Sequence, residues 1–318
     1  MKKDEIDSRY LDPLTDFGFH KLFGTESSKN LLISFLNEII REEGLITDIK
    51  YLPPEQRGFS EKERKAVFDI FCTNEKGEYF IVEMQRARQP YFRDRSVFYA
   101  SLPIRKQAPR GIWDFRLKAV YLVAILDFVL FSESEEDKDH IVERVHLVRE
   151  RTKSYFSKKI NFVFVELPKF RKTEEELKTN FDRWLFLLKN ISKLEERPTS
   201  IQGKIFEELF QAVETNQLTK EEMKKYKKSV LEYRDVRDSI ALAREEAREE
   251  ARAETWEEAW KEAWKEGIKE GIEKGIEKGI EKEKFSMVQK CLTNNIPVEV
   301  IINLTGFSEE QINRFNYK

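Results

Sequence analysis

Residues 65–86 read KAVFDIFCTNEKGEYFIVEMQR, and this stretch decides the fold of the chain. Two apolar runs, AVFDIFC and YFIVEMQ, flank a polar turn that ends in Gly77. Runs of β-branched and aromatic residues on either side of a glycine-containing turn predict a β-hairpin. If the turn closes symmetrically about residue 76, Asp69 of the first strand lies directly opposite Glu83 of the second.

The hairpin carries carboxylates where an apolar strand should exclude them. Directly opposed residues have Cβ atoms about 5 Å apart, so a divalent cation would relieve the repulsion between Asp69 and Glu83. A buried network with Arg or Lys is the alternative, because an unpaired buried carboxylate is costly. Strand alternation predicts that Val67, Asp69 and Phe71 share one face of the first strand. It likewise predicts that Ile81, Glu83 and Gln85 share one face of the second, on the same side of the hairpin as Asp69.

Composition limits the function classes. The chain has 318 residues and a net charge of −2, so any nucleic-acid site must be a local patch. Cys72 and Cys291 form neither a disulfide framework nor a CxxC metal site, which indicates a reducing compartment. The first ten residues lack an apolar leader, and the longest apolar run is interrupted by Asp127 and is too short for a bilayer. We therefore expect a cytoplasmic protein with no membrane partner.

The order of the patterns indicates four regions. Helical patterns precede the hairpin, and a continuous apolar run at 117–130 predicts a central strand. Thr173 and Glu176 form a capping-box pattern that predicts the start of a helix. We predict a nuclease-like α/β domain in 1–170, a helical extension in 171–219, a long charged helix in 220–284 and a small helix-turn-helix-like tail in 285–318.

The long charged region contains a four-residue repeat. A stripe of apolar residues steps by four, which rotates it by about 40° per step around a helix. A self-association helix and a solvated single helix both fit this pattern, although glycines beside the stripe would let a second helix approach closely. The stripe consists of Trp256, Trp260, Trp264, Ile268, Ile272, Ile276 and Ile280.

The tail has the spacing of a compact helical unit. Its SEEQINRF segment offers Gln311, Asn313 and Arg314 as groups that could face a DNA groove, beside two glutamates that disfavour phosphate contact. Packing within the tail or capping of an oligomer is the alternative. Its predicted core consists of Ile301, Leu304, Phe307 and Ile312.

The hairpin carboxylates point to metal-dependent phosphodiester chemistry. An Asp on one strand and a Glu-x-Lys or Glu-x-Gln on the next is the arrangement that divalent-metal nucleases use. Asp69 and Glu83 would share a Mg²⁺ ion, with a backbone carbonyl near Met84 as a further oxygen ligand, since Mg²⁺ prefers oxygen and keeps several waters. Four arginines follow Glu83 along the chain: Arg86, Arg88, Arg93 and Arg95. We expect Arg86, Arg88 and Arg93 to contact DNA.

Five segments in order carry a family resemblance. DPLTDFGFHKLFG, LLISFLNEII, VFDIFC, YFIVEMQ and QPYFRDRSVFYAS together resemble the Rpn-type PD-(D/E)XK nucleases, which are described as recombination-promoting nucleases and transposases. The resemblance implies an α/β fold of the restriction-endonuclease-like type, with an α-β-β-β-α-β core and a mixed sheet, followed by an all-helical C-terminal region. It also implies Mg²⁺-dependent cleavage of DNA, with a link to recombination or a mobile element.

The same resemblance assigns roles to residues. Asp69 and Glu83 become the metal ligands and, with Gln85, the catalytic residues, while Asp16, Gln89 and Arg95 become supporting residues.

Gln85 departs from the wider superfamily pattern, which has a catalytic Lys at this position. A glutamine cannot supply that positive charge, for which Lys65 and Arg86 are the nearest candidates in sequence. The second interpretation is therefore a weakly active or inactive nuclease-fold protein that binds DNA or assembles through its C-terminal helices.

Overall fold

The structure is a computed structural model, and it describes residues 8–40, 44–56, 66–108 and 113–313. The chain divides into two compact units, Met1–Ala241 and Leu242–Lys318. The four predicted regions, with boundaries at 170, 219 and 284, stay predictions.

Helices make up most of the described residues outside a central sheet. The helices are α1 (Asp16–Phe23), α2 (Lys29–Ile39), α3 (Phe92–Lys106), α4 (Asn180–Asn190), α5 (Lys204–Ala212), α6 (Lys220–Thr293), α7 (Val298–Thr305) and α8 (Glu309–Asn313). The strands are β1 (Ile49–Tyr51), β2 (Glu55–Gln56), β3 (Ala66–Val67), β4 (Ile70–Asn74), β5 (Tyr79–Gln85), β6 (Val120–Leu126), β7 (Val142–Val148) and β8 (Tyr155–Glu166).

The central sheet is mixed and has six strands in the order β1-β4-β5-β6-β8-β7. Strands β1, β4 and β5 are antiparallel neighbours, β5, β6 and β8 run parallel, and β7 returns antiparallel along β8. Strands β2 and β3 form a separate two-stranded sheet. Apart from that small sheet, α2, β1, β4, β5, α3 and β6 follow the expected α-β-β-β-α-β order, so the predicted fold class is confirmed.

Two apolar layers cover the sheet. One face, with Val82 and Val123, packs on α1, α2, α4, α5 and the first turns of α6 around the buried Trp184. The other face, with Ile81 and Leu122, packs on α3. Strand β6 is buried at every position, as the continuous apolar run at 117–130 predicts for a central strand.

The hairpin closes as its sequence predicts. Ile70 pairs with Val82 and Thr73 with Tyr79, so the strands are symmetric about residue 76. Gly77 occupies the turn with φ of +75°, a left-handed conformation that glycine adopts without a steric penalty.

The prediction that Val67, Asp69 and Phe71 share one face of a strand is wrong. A bend at Asp69 separates β3 from β4, so the alternation of side chains is interrupted there. Val67 is 59% exposed, and Phe68 packs against Phe71 in its place, with ring centroids 5.3 Å apart. Asp69 is therefore exposed in the bend and does not lie inside an apolar strand as expected.

The helix predicted to start at Thr173 begins later. The capping box of Thr173 and Glu176 is present, but it closes only a short 3₁₀ turn. A second capping box, formed by Thr179 and Asp182, starts α4 at Asn180. The two boxes lie six residues apart, and only the second one starts a helix of several turns.

Helix α6 continues from Lys220 to Thr293, nine residues beyond the predicted end at 284. Within the first unit, Tyr226, Val230 and Tyr233 of α6 are buried in the core. The apolar stripe from Trp256 to Ile280 is exposed along its length. Nowhere in the described ranges is a helix both long and apolar enough to cross a membrane.

The small core of the tail differs in one position from the predicted one. Ile301 and Ile312 are buried, and Phe307 packs against them. Leu304 is 54% exposed, so its predicted place in the core is wrong. Val288 and Cys291 from the end of α6 complete the cluster. Arg314, a predicted DNA-facing residue, lies outside the described residues.

Candidate active site

Strand β5 and the bend before β4 bring Asp69 and Glu83 together. The register of the hairpin would place Asp69 opposite Glu83 if β4 were one residue longer. Glu83 lies on the sheet face that packs against α3, between Ile81 and Gln85 along the strand. The symmetric turn thus sets the distance between the two carboxylates, although only one of them belongs to a strand.

Backbone amides tie the two carboxylates to each other's strands. The Met84 amide donates a hydrogen bond to Asp69 Oδ2 at 2.8 Å. The Asp69 amide in turn donates to Glu83 Oε1 at 3.3 Å. The bend at Asp69 turns its side chain toward β5, which explains why Asp69 leaves the ladder without leaving the site.

Both carboxyl groups are held in an environment that disfavours two negative charges. Burial raises the pKa of Glu83 to about 8, and the neighbouring Asp69 contributes in the same direction. The pKa of Asp69 is also raised, first because the surrounding protein desolvates it and then through the charge of Asp16, against the Met84 amide that lowers it. A proton or a cation shared between the two groups would remove this cost.

Gln85 connects Glu83 to a cation on α3. Its Nε2 donates to Glu83 Oε2 at 3.4 Å, and its Oε1 accepts from Arg95 at 2.6 Å. Arg95 also donates to Gln89 Oε1 and lies over the ring of Phe92, 5.2 Å from its centroid. The guanidinium is therefore held close to Glu83, with the glutamine between it and the carboxylate.

Arg86 is held on the other side of the site. It pairs with Asp16 at the start of α1 and lies over the ring of Tyr233, 5.5 Å from its centroid. The Tyr233 hydroxyl donates to Asp127 Oδ2 at 3.2 Å, and the Asp127 amide donates to the Gln85 carbonyl at 2.9 Å. Asp16 thus lies at the edge of the site as an ion-pair partner of Arg86.

The other two arginines predicted to contact DNA, Arg88 and Arg93, differ in the contacts that they make within the protein. Arg88 is exposed just after β5. Arg93 pairs with Glu133 at 2.6 Å, donates to the Leu130 carbonyl at 3.3 Å and lies over the ring of Phe131. Lys65, a candidate for the missing charge, lies outside the described residues. As DNA contacts, Arg86, Arg88 and Arg93 stay predictions.

Two residues of this network were missed in the sequence. Tyr233 lies more than a hundred residues after the hairpin, and no local pattern marks it as a neighbour of Arg86. In the sequence, Asp127 only interrupts an apolar run. A polar residue directly after a buried parallel strand is the signal that could have indicated it, because strand ends of this kind form sites.

The donor set suits a hard divalent cation with few protein ligands. Across the described ranges there is no group of three or more His, Cys, Asp or Glu side chains that could hold a metal ion. Asp69 and Glu83 are therefore a pair, and Asp16 does not join them as a third ligand. Mg²⁺ is commonly bound in this way, through one or two carboxylates with water and substrate phosphate in the other positions.

Comparison with known proteins agrees with this arrangement. A family model described as PD-(D/E)XK nuclease family transposase matches residues 13–243. The match runs from the residues before α1 into α6, and so includes the whole sheet and both carboxylates. No curated protein and no solved structure matches the chain.

Proposed function

The chain belongs to the PD-(D/E)XK nuclease family transposases, and on this basis we propose that it is a Mg²⁺-dependent DNA endonuclease that hydrolyses phosphodiester bonds. The resemblance inferred from the sequence is confirmed by this membership, which associates the chain with nucleases and mobile elements. The observation that carries the proposal is the pairing of Asp69 and Glu83, in which backbone amides of the two segments hold both carboxylates close together.

The pair of Asp69 and Glu83 is better suited to hold a divalent cation than to carry two neighbouring negative charges with no cation between them. Desolvation raises the pKa of both groups, and the charge of Asp69 raises that of Glu83 further, so a cation between them would favour the ionised form of both. We propose Mg²⁺ because its oxygen preference and retained waters suit a site with only two carboxylates. Bound there, the ion would lower the pKa of a water and polarise the scissile phosphate. The carbonyl near Met84 stays a proposed further ligand.

The protein's own residues would orient the reacting groups. Glu83 and Asp69 would hold the cation, and Gln85 would keep the Glu83 side chain in place through the hydrogen bond from its amide nitrogen. Arg95, fixed by Gln85 and Gln89, would supply the positive charge that stabilises the transition state, in place of the superfamily lysine. Arg86, Arg88 and Arg93 would contact the DNA backbone on either side.

A plasmid-nicking assay tests the proposal. Supercoiled plasmid is incubated with the protein in Mg²⁺ or in EDTA, and we expect nicking only with Mg²⁺. Asp69→Ala and Glu83→Gln should abolish it, whereas Asp139→Asn, at an exposed aspartate of the same unit, should not. Mg²⁺ should also raise the melting temperature of the wild type but not of Asp69→Ala, since only a bound ion stabilises the folded state. Equal nicking by wild type and Asp69→Ala would exclude Asp69 as a ligand.

Gln85 favours a second candidate function. Without a lysine at this position, the chain could bind DNA or assemble through its C-terminal helices while cleaving slowly or not at all. Mg²⁺-independent DNA binding with no nicking, even at high protein concentration, would support this alternative. Nicking that depends on both Asp69 and Mg²⁺ would exclude it.

We propose that the protein is a homo-oligomer held by the repeat segment of α6. Seven apolar residues from Trp256 to Ile280 are exposed, with relative exposures between 43% and 72%. The space beside Gly267, Gly271, Gly275 and Gly279 is open, so a second helix could approach closely. Light scattering of the full chain and of a chain lacking 242–318, which keeps the first compact unit whole, would separate this proposal from a solvated single helix, which predicts a monomer in both cases.

We propose a cytoplasmic location as well. The two cysteines, Cys72 and Cys291, are unpaired and buried. Unpaired thiols suit a reducing compartment, in which DNA would also be the available substrate.

A further inference from the structure

The hairpin formed by β7 and β8 extends beyond the sheet as an arm of exposed residues. We call residues 147–159 the basic arm. Large apolar side chains on both of its strands are exposed, including Leu147, Val148, Tyr155 and Phe156, the last at 74%. Within the described parts of the chain, no element covers these apolar side chains. An exposed apolar patch of this kind is typical of a surface that binds another molecule.

The arm is strongly positive. It carries five cations and a single carboxylate, Glu150. The cations are exposed, and none of them forms an ion pair with a carboxylate of the described residues. Lys158 lies over the ring of Tyr155 at 4.7 Å, so one of the cations packs on an aromatic ring of the arm. The five cations are Arg149, Arg151, Lys153, Lys158 and Lys159.

Local contacts hold the arm in one conformation. The Arg149 amide donates to the Ser154 carbonyl at 2.9 Å, and its Nε donates to the Ser154 hydroxyl at 3.0 Å. The Lys153 amide donates to the Arg149 carbonyl at 2.8 Å, with Lys153 in a left-handed conformation at φ of +54°. The rings of His146 and Tyr155 meet edge to face at 5.1 Å. An arm fixed in this way presents its charges at little entropic cost.

Strand register gives the distance between the arm and the carboxylate pair. Glu83 aligns with Ala124 of β6, which aligns with Phe164 of β8. Tyr155 lies nine residues before Phe164 on the same strand, which is roughly 30 Å at about 3.3 Å per residue. At 3.4 Å per base pair, that distance corresponds to about nine base pairs of duplex.

We propose that the basic arm binds the phosphate backbone of duplex DNA, about nine base pairs from the scissile phosphate. This inference rests on the proposed function, because it takes DNA as the substrate. Charge decides between the possible occupants: a second copy of the arm would bring like charges together, whereas DNA supplies closely spaced phosphates. The exposed Phe156 would contact the sugar and base edges beside the phosphates.

Binding of DNA in EDTA tests the arm independently of cleavage. Affinity for a fluorescent 30-base-pair duplex is measured by anisotropy over a range of NaCl concentrations. The arm variant combines Arg151→Gln, Lys153→Asn, Lys158→Gln and Lys159→Gln, and Asn is chosen because it tolerates the left-handed backbone at that position. The control variant removes the same charge from exposed cations of the same unit, with Arg171→Gln, Lys178→Gln, Lys193→Gln and Lys204→Gln.

The arm variant should bind at least tenfold more weakly at low salt. Its slope of log K against log[NaCl] should become shallower by about 3 to 4, because each lost phosphate contact removes about 0.9. Phe156→Ala should weaken binding without changing the slope, since it removes no charge. With supercoiled plasmid and Mg²⁺, the arm variant should raise KM and leave kcat unchanged.

Four results would overturn the proposal. They are an unchanged salt slope in the arm variant, an equal change in the control variant, a change of oligomeric mass in the arm variant alone, and binding to phosphatidylserine vesicles without any loss of DNA binding. Loss of affinity in the arm variant of a protein that never nicks plasmid would support the arm and contradict the proposed nuclease activity, so the two proposals fail separately.

Discussion

Gln85 lies between a carboxylate and a guanidinium, and this position determines what it can do. Its amide nitrogen donates to Glu83 while its carbonyl oxygen accepts from Arg95. A lysine there could pair with Glu83, but it would repel Arg95. The glutamine therefore connects Arg95 to the carboxylate pair, and in the proposed reaction the positive charge would come from α3.

Removal of the Arg95 charge should nearly abolish nicking. We expect Arg95→Met to lower the Mg²⁺-dependent nicking rate by about 10²-fold, as for the loss of one preorganised charge-stabilising donor. Arg95→Lys should recover little, because an ammonium cannot bridge Gln85 and Gln89 as a planar guanidinium does. The measurement is the initial rate of plasmid nicking at saturating Mg²⁺.

Lys106→Met is the matched control for Arg95, since it removes an exposed cation from the last turn of the same helix. Its nicking rate should equal that of the wild type. If Arg95→Met also nicked at the wild-type rate, the guanidinium would have no part in the reaction.

A buried ion pair holds the loop after β6. Glu166 Oε2 lies 2.6 Å from Lys169 Nζ, and both side chains are almost inaccessible to water. Lys169→Met should lower the free energy of unfolding by about 3–5 kcal/mol, because it leaves a buried carboxylate without its cation. Urea denaturation measures the change.

The double variant Glu166→Gln, Lys169→Met shows whether the loss of stability comes from the unpaired charge of Glu166 or from the lost packing of the Lys169 side chain. It should recover most of the stability, since the glutamine oxygen still accepts from the Leu130 and Phe131 amides as Glu166 does. A double variant as unstable as Lys169→Met alone would show that packing, and not charge, explains the loss.

At the scale of elements, the hairpin shows what can be predicted from local sequence. Its register follows from the turn, because the glycine and the flanking apolar runs are all within the same 22 residues. The bend at Asp69 does not follow, because β3 leaves the hairpin to pair with Glu55 and Gln56 of β2. Pairing with a distant segment overrides the local strand pattern, and it places Asp69 in a bend and not inside a strand.

The start of α4 gives a prediction with a pH dependence. Asp182 is 4% exposed, and burial alone would raise its pKa. Hydrogen bonds from Lys172, from the Thr179 and Lys178 amides and from the Thr179 hydroxyl outweigh burial. The pKa of Asp182 is therefore lowered. A carboxylate with a lowered folded-state pKa stabilises the protein above its unfolded pKa, and this contribution disappears as the pH falls through the folded value.

We therefore expect Asp182→Asn to lower the free energy of unfolding at pH 7 by about 1–3 kcal/mol. The difference from the wild type should shrink as the pH is lowered through the folded pKa of Asp182. Glu221→Gln, at an exposed position in the first turn of α6, is the control and should have little effect at any pH. A pH-independent loss in Asp182→Asn would show that its charge is not responsible.

At the scale of the whole molecule, α6 belongs to both units. Its first turns complete the core of the first unit: the Asp12 amide donates to the Tyr226 hydroxyl at 3.0 Å and the Phe17 amide to the Ser229 hydroxyl at 3.1 Å. The charged repeat that follows is the reason that the sequence predicts a separate helix starting at residue 220. The sequence pattern showed the helix, but the contacts of Tyr226 and Tyr233 depend on tertiary packing that no local period reveals.

The position of a truncation should therefore decide whether the first unit folds. A chain ending at Ala241 keeps the first compact unit whole, and we expect a cooperative thermal transition and retained Mg²⁺-dependent nicking. A chain ending at Leu218 loses Tyr226, Val230 and Tyr233 from the core. Loss of buried side chains of this size costs about 3–5 kcal/mol each, which together approaches the whole stability of a typical domain.

Circular dichroism melting curves of the two truncated chains measure this difference, and light scattering of the same samples measures their mass. The Ala241 chain should be a monomer if the repeat segment holds the oligomer together, so stability and assembly would separate at that residue. A Leu218 chain as stable as the Ala241 chain would contradict the role of the first turns of α6 in the core. An Ala241 chain that keeps the mass of the full-length oligomer would instead place the self-association surface in the first unit.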